Sequence, residues 1–91
     1  MANFEAFIKA FHERDNALAA AAERAGFLRA SSASDPGYQI LLTRGTESAW
    51  RVTSFRDGVP TGHREYDRLA GGGPTQNAVA EFVGFIVEQV P

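Results

Sequence analysis

Residues 48–67 read SAWRVTSFRDGVPTGHREYD, and the fold of the chain turns on them. Asp57-Gly58 separates two β-rich runs. A two-residue type I′ turn needs positive φ at both central positions, which Asp and Gly tolerate best, so the stretch predicts a β-hairpin. Before the turn Trp50, Val52 and Ser54 alternate with Arg51, Thr53 and Phe55, and in a strand the two sets face opposite ways. Trp50 and Val52 are the expected core face, with Arg51 and Thr53 outward. After the turn Pro60 lacks an N–H and Gly62 weakens the run, which predicts an edge strand with a bulge near Gly62. Tyr66 is the residue of this strand expected to reach the core. Arg64 shares its parity, and a bulge or strand end would account for that.

Outward from the hairpin, residues 38–44 (YQILLTR) read as a preceding strand. Tyr38, Ile40 and Leu42 lie on one face and Gln39, Leu41 and Thr43 on the other. Gly45, Thr46 and Glu47 make the loop between them. Residues 31–37 (SSASDPG) carry the punctuation of a loop. At the start of the chain, Asn3 is the expected N-cap. Phe4, Phe7, Ile8 and Phe11 recur at helical spacing, and the stripe continues through Leu18, Ala22 and Ala25. Asp15 falls near the middle of that stripe. A straight helix as far as Arg29 would be about 40 Å long, so a kink, two helices or an overhang used for self-association is expected. Gly26 breaks the register, leaving Phe27 and Leu28 off the stripe. After a connector ending in Gly71-Gly72-Gly73, Pro74 or Thr75 opens a final helix running to about residue 89. Val79, Phe82, Val83, Ile86, Val87 and Val90 form its apolar face, and Phe85 stands outside the stripe.

The predicted fold class is therefore α+β, one domain over residues 1–91. It is a three-stranded antiparallel meander with the N- and C-terminal helices on one face, in the order αβββα. That order resembles the double-stranded RNA-binding domain in topology. The family places a lysine cluster at the start of its last helix, where this chain has Gly71-Gly72-Gly73-Pro74-Thr75-Gln76-Asn77-Ala78 without a basic residue.

Composition narrows the chemistry. Ninety-one residues hold one modest core, burying roughly 60–65% of the unfolded surface. The absence of cysteine excludes disulfides, thiolate metal sites and a cysteine nucleophile. Net charge is −2, so bulk electrostatics do not draw the chain to nucleic acid. The opening MANFEAFIKAF lacks the pattern of a signal peptide, and no apolar run reaches the ~20 residues that span a bilayer. A cytoplasmic location without membrane contact is expected. Among nine basic residues only Lys9 is lysine, a usage typical of GC-rich bacterial genomes and their mobile elements.

No motif assembles a catalytic centre, and no catalytic residue, cofactor or metal is expected. His63 and Glu65, and the cluster His12, Glu13 and Asp15, read as solvated surface, because neither has metal-ligand spacing. Residues 71–75 lack the Lys-Ser/Thr pair of a P-loop and read as a flexible connector. The expected function is a non-enzymatic protein-binding module, an adaptor, inhibitor or regulator from a bacterium, phage or plasmid. Its candidate partner-binding residues are Arg44, Arg51, Thr53, Phe55, Arg64 and Phe85, since arginine and aromatic side chains concentrate at contact hot spots. The alternative is a nucleic-acid-binding domain using the same Arg-rich sheet face. Homodimerisation through the first helix is a subsidiary expectation.

Overall fold

The computed structural model describes residues 4–45, 49–67 and 72–88. The expected N-cap Asn3, the loop residues Thr46 and Glu47, Gly71 and Val90 lie outside them, as do the side chains of Phe4, Phe7, Ile8 and Phe11. In chain order the elements are α1 (Phe4–Ala25), β1 (Phe27–Ser32), β2 (Tyr38–Arg44), β3 (Ala49–Arg56), β4 (Val59–Asp67), α2 (Gln76–Ala80) and β5 (Phe85–Glu88).

α1 is one continuous helix of 22 residues. No Gly or Pro interrupts it and its second half is rich in alanine, the best helix former. Asp15, Leu18 and Ala22 recur at helical spacing and face inward, Asp15 and Ala22 buried and Leu18 half-buried. The helix is not divided in two, and Asp15 is not solvated. Its place on α1 is a core position, and it is only 5% exposed.

The helix ends because Gly26 takes φ +86, a left-handed backbone that costs a side-chain-bearing residue about 1–2 kcal/mol. Its N–H still donates to the Ala22 carbonyl at 2.7 Å, and the chain then leaves as β1. Helix was expected to continue here to Arg29. Instead Leu28 and Ala30 turn inward and Arg29 outward, the period-two pattern of a half-covered strand. Ser31 and Ser32, expected in a loop, belong to this strand.

The hairpin forms as expected. Asp57 (φ +52) and Gly58 (φ +84) make the two-residue turn, with Arg56 opposite Val59. Phe55 pairs with Pro60 and Ser54 with Gly62, so Thr61 is the extra residue of a bulge next to the predicted position. Trp50, Val52 and Ser54 are buried. Tyr66 is half-buried and packs against the core.

The expected C-terminal helix is corrected most. α2 spans only five residues, with Thr75 at the N-cap position but making no side-chain cap. Gly84 (φ +82) turns the backbone, and residues 85–88 run as a strand. Phe, Ile and Val in this run favour a pleated strand over a helix. β5 pairs antiparallel with β1, matching Ala30 with Val87 and Ser32 with Phe85. The sheet is thus five-stranded and antiparallel in the order β4-β3-β2-β1-β5. The meander expected from sequence is its β2–β4 portion, and the order αβββα becomes αββββαβ.

One sheet face carries the core. Leu28, Ala30, Ile40, Leu42, Trp50 and Val52 meet Ala22 of α1 and Ala78 and Phe82 from α2 and the turn after it. Each fully buried Leu, Ile, Val or Phe contributes about 1.5–3 kcal/mol. Both helices therefore lie over the same face. The glycine-rich connector joins the packing: the Trp50 Nε1–H donates to the Gly72 carbonyl at 3.0 Å, and Gly73 and Pro74 are buried. No helix among the described residues is long and apolar enough to cross a membrane.

Candidate functional site

The sheet face away from the helices is uncovered among the described residues, and its side chains form three cross-strand rows. Phe27, Thr43, Arg51 and Glu65 make the first. Glu88, Arg29, Leu41, Thr53 and His63 make the second, and Ile86, Ser31, Gln39, Phe55 and Pro60 the third. Residues paired directly across antiparallel strands stand side by side on one face. The strand register therefore gathers Phe27, Leu41, Phe55 and Ile86 from four strands onto one surface. Ile86 is 61% exposed and the other three half-buried. Arg29, Gln39, Leu41, Phe55 and Gly58 line a shallow depression of about 210 Å³ at its centre.

Charge on this face is mostly paired. Arg51 Nε and Nη2 both donate to Glu65 Oε2, at 2.9 and 2.6 Å. Linking the second and third rows, the Ser31 hydroxyl donates to Glu88 Oε2 at 2.9 Å and accepts from Gln39 Nε2 at 3.2 Å. His63 and Glu65 do share the face, but Glu65 is held by Arg51.

The structure brings three of the six candidate partner-binding residues together here: Arg51, Thr53 and Phe55. The other three stand on the helix-covered side. Arg44 lies 4.9 Å over the Trp50 ring and donates to the Glu23 carbonyl at 2.9 Å, one of the carbonyls left open at the C-terminus of α1. Phe85 packs on the core edge with its ring 5.8 Å from that of Tyr38. Arg64 sits opposite Val52 and binds Glu81 just after α2, with Nε at 2.5 Å from Oε2 and Nη2 at 3.0 Å from Oε1.

Around Arg64 a polar network fastens β4 to α2. Tyr66 donates its hydroxyl to Glu81 Oε2, and Arg64 Nη2 donates to the Ser54 hydroxyl at 3.2 Å. Tyr38 donates to the same Ser54 oxygen at 3.3 Å. Burial works against ionisation of Glu81, but the hydrogen bonds from Arg64 and Tyr66 and the Arg64 charge outweigh it and hold the carboxyl below its ordinary range. The hydrogen bond to Glu81, with burial and the Glu81 charge, raises the Tyr66 phenol. The same carboxylate raises Arg64. These are the shifts of a structural ion pair, strengthened by its two-pronged geometry.

The sequence reading missed Ile86 and Glu88, because their segment reads as helix, and Phe27 and Arg29, because theirs reads as a helix end. The signals were present: Gly26 and Gly84 each precede a short run with apolar and β-branched residues. Among the described residues no group of three or more metal-ligating side chains stands together. Comparison with protein-family models, with curated proteins and with solved structures finds no match in any of the three.

Proposed function

We propose that the chain is a non-enzymatic protein-binding module, an adaptor, inhibitor or regulator, and that the uncovered sheet face is its contact surface. One observation carries this reading: Leu41, Phe55 and Ile86 come from three different strands to one face that no described element covers. Large apolar side chains left on an uncovered face are a mark of a contact site. A contact centre of aromatic and aliphatic groups bordered by paired polar groups matches the anatomy of protein interfaces. The pairing of Arg51 with Glu65 and the net charge of −2 favour a protein over the phosphates of a nucleic acid.

The test is affinity capture with wild-type protein and with Leu41→Glu and Phe55→Glu variants, each shown to be folded by circular dichroism. The expected result is a stoichiometric protein partner, retained after nuclease treatment and lost with both variants. A partner retained by both variants would sink the reading. Recovery of nucleic acid, released by moderate salt and lost with Arg51→Glu, would replace it with the nucleic-acid alternative.

A further inference from the structure

An antiparallel strand turns the N–H and C=O groups of alternate residues toward one neighbour and those of the others away from it. Along β5 the alternation is fixed by the bond from the Ala33 N–H to the Gly84 carbonyl, 2.9 Å long, which marks that pair as hydrogen-bonded. With Ser31 opposite Ile86 and Arg29 opposite Glu88, the backbone groups of residues 86 and 88 face β1. Those of Phe85 and Val87 point outward, off the edge of the sheet. Outward donors and acceptors on an edge are a template for a further strand.

The two edges of the sheet meet that hazard differently. β4 carries obstacles in its own sequence: Pro60, which has no N–H, and the bulge at Thr61. β5 reads Phe-Ile-Val-Glu, without proline, lysine or bulge, and Ile86 is 61% exposed. Its obstacle comes from far away in sequence. Arg14 of α1 reaches the edge, and its Nη2 donates to the Phe85 carbonyl at 3.2 Å and to the Phe82 carbonyl at 3.4 Å. The Phe85 N–H is turned back on the same Phe82 carbonyl at 3.1 Å. Both outward groups of Phe85 are thus taken, whereas no described residue bonds those of Val87.

We infer that Arg14 guards the β5 edge against strand addition by a second copy of this chain. A second copy is the fitting occupant because the register is self-complementary. In a two-fold antiparallel pairing of β5 with β5, Phe85 of each copy stands opposite Val87 of the other at the hydrogen-bonded positions. The two Ile86 side chains then stand side by side between them. Arg14 opposes this pairing twice. It occupies the Phe85 carbonyl on each copy, and it brings two guanidinium charges to the junction, where like charges repel. Edge addition uses the backbone of β5 and leaves Leu41 and Phe55 untouched, so its test is independent of the open-face reading.

The experiment is sedimentation velocity over a concentration series. It compares the wild type, Arg14→Met, and Arg14→Met combined with either Val87→Pro or Ile86→Lys. Arg14 is exposed, so methionine spares the core while removing the charge and the donors. Proline at position 87 removes an outward N–H and no bond to β1. Lysine at position 86 sets two charges side by side at the centre of the pairing, and keeps the test decisive if the proline variant fails to fold. Circular dichroism and Trp50 fluorescence establish the fold of each. The expected result is a self-association constant for Arg14→Met about tenfold or more above that of the wild type, the loss of one hydrogen bond from a charged donor on each copy. Each second change should return it to the wild-type value. An unchanged constant in Arg14→Met overturns the inference, as does association that survives the second change in a folded double variant.

Discussion

Arg64 in β4 and Glu81 after α2 meet through two hydrogen bonds, of 2.5 and 3.0 Å, and so fasten an edge strand to the helix layer. β4 is exposed along nearly its whole length, and its side chains bury little except at Tyr66. The fastening therefore replaces apolar packing that this strand lacks. A double-mutant cycle with Arg64→Met and Glu81→Gln should return a coupling of about 1 kcal/mol, with each single change costing a similar amount. The estimate is held low because the Arg64 side chain is 42% exposed and water screens the pair. Urea unfolding of the four proteins measures it.

The same network makes stability depend on pH toward both ends of the range. The Glu81 carboxyl lies below its ordinary 4.5 in the folded protein, so its contribution is present above pH 4.5 and lost as pH falls through the lowered value. The Tyr66 phenol lies above its ordinary 10.0, so its contribution is complete below pH 10.0 and lost as pH rises through the raised value. Thermal melts across pH should show both losses in the wild type. Glu81→Gln should flatten the acid limb and Tyr66→Phe the alkaline limb.

Gly26 separates helix from strand by conformation alone, since a Cβ added there would meet no atom within 4 Å. Gly26→Ala should therefore destabilise by about 1–2 kcal/mol without disturbing the core, the cost of a left-handed backbone for an L-residue. Equilibrium unfolding gives the number. Unchanged amide shifts in β2 and β3 would show that the cost is local.

Trp50 is the sole tryptophan and is 1% exposed, so its fluorescence reports unfolding directly. Trp50→Phe leaves the Gly72 carbonyl without its donor and opens space in the core, and should cost about 1–3 kcal/mol. Arg44→Met removes the contact over the indole and the hydrogen bond to the Glu23 carbonyl, and should cost about 1 kcal/mol. Because both changes act on the junction of β2, β3 and α1, their effects in the double variant should fall short of the sum.

On the open face the expected stability effect is far smaller than in the core. Leu41→Glu and Phe55→Glu place charges at half-buried positions of the open sheet face and should change stability by about 1 kcal/mol, within the range of β-propensity. Val52→Glu, one strand position from Thr53 but facing the core, should prevent folding. Circular dichroism of the three variants separates the two faces.

The hairpin was legible because its information is local. Asp57-Gly58 fixes the turn, and alternation from Trp50 to Phe55 assigns the faces. Arg51, Thr53 and Phe55 could be placed together for the same reason. Arg44 and Arg64 could not be assigned, because a charged residue at a core-face position is placed by its partner, Trp50 with Glu23 in one case and Glu81 in the other. β1 and β5 were illegible for a different reason. Each is a short run beside a helix, and over four to six residues a period of two cannot be told from a fragment of a helical stripe. What decides them is their pairing with each other, a contact that no window of sequence contains. Asp15 shows the remaining limit. A lone carboxyl in an apolar stripe reads as a kink or a helix end, and only the closed structure shows it inside.

The pairing of β5 with β1 sets the order in which the sheet can be completed. β1 to β4 are joined by hairpins, each closing a short loop, whereas Ser31 and its partner Glu88 are 57 residues apart. Closing so long a loop is entropically dearer and slower than zipping a hairpin. Loop-closure entropy therefore predicts that the four-stranded meander forms first and that the last strand closes as a clasp after α2, an order that pulsed hydrogen exchange of the β5 amides checks. Until it shuts, β1 presents a bare row of backbone donors and acceptors, the kind of edge along which a second chain can add its own strand. On that order, the interval before closure is when pairing with other copies is expected to be easiest.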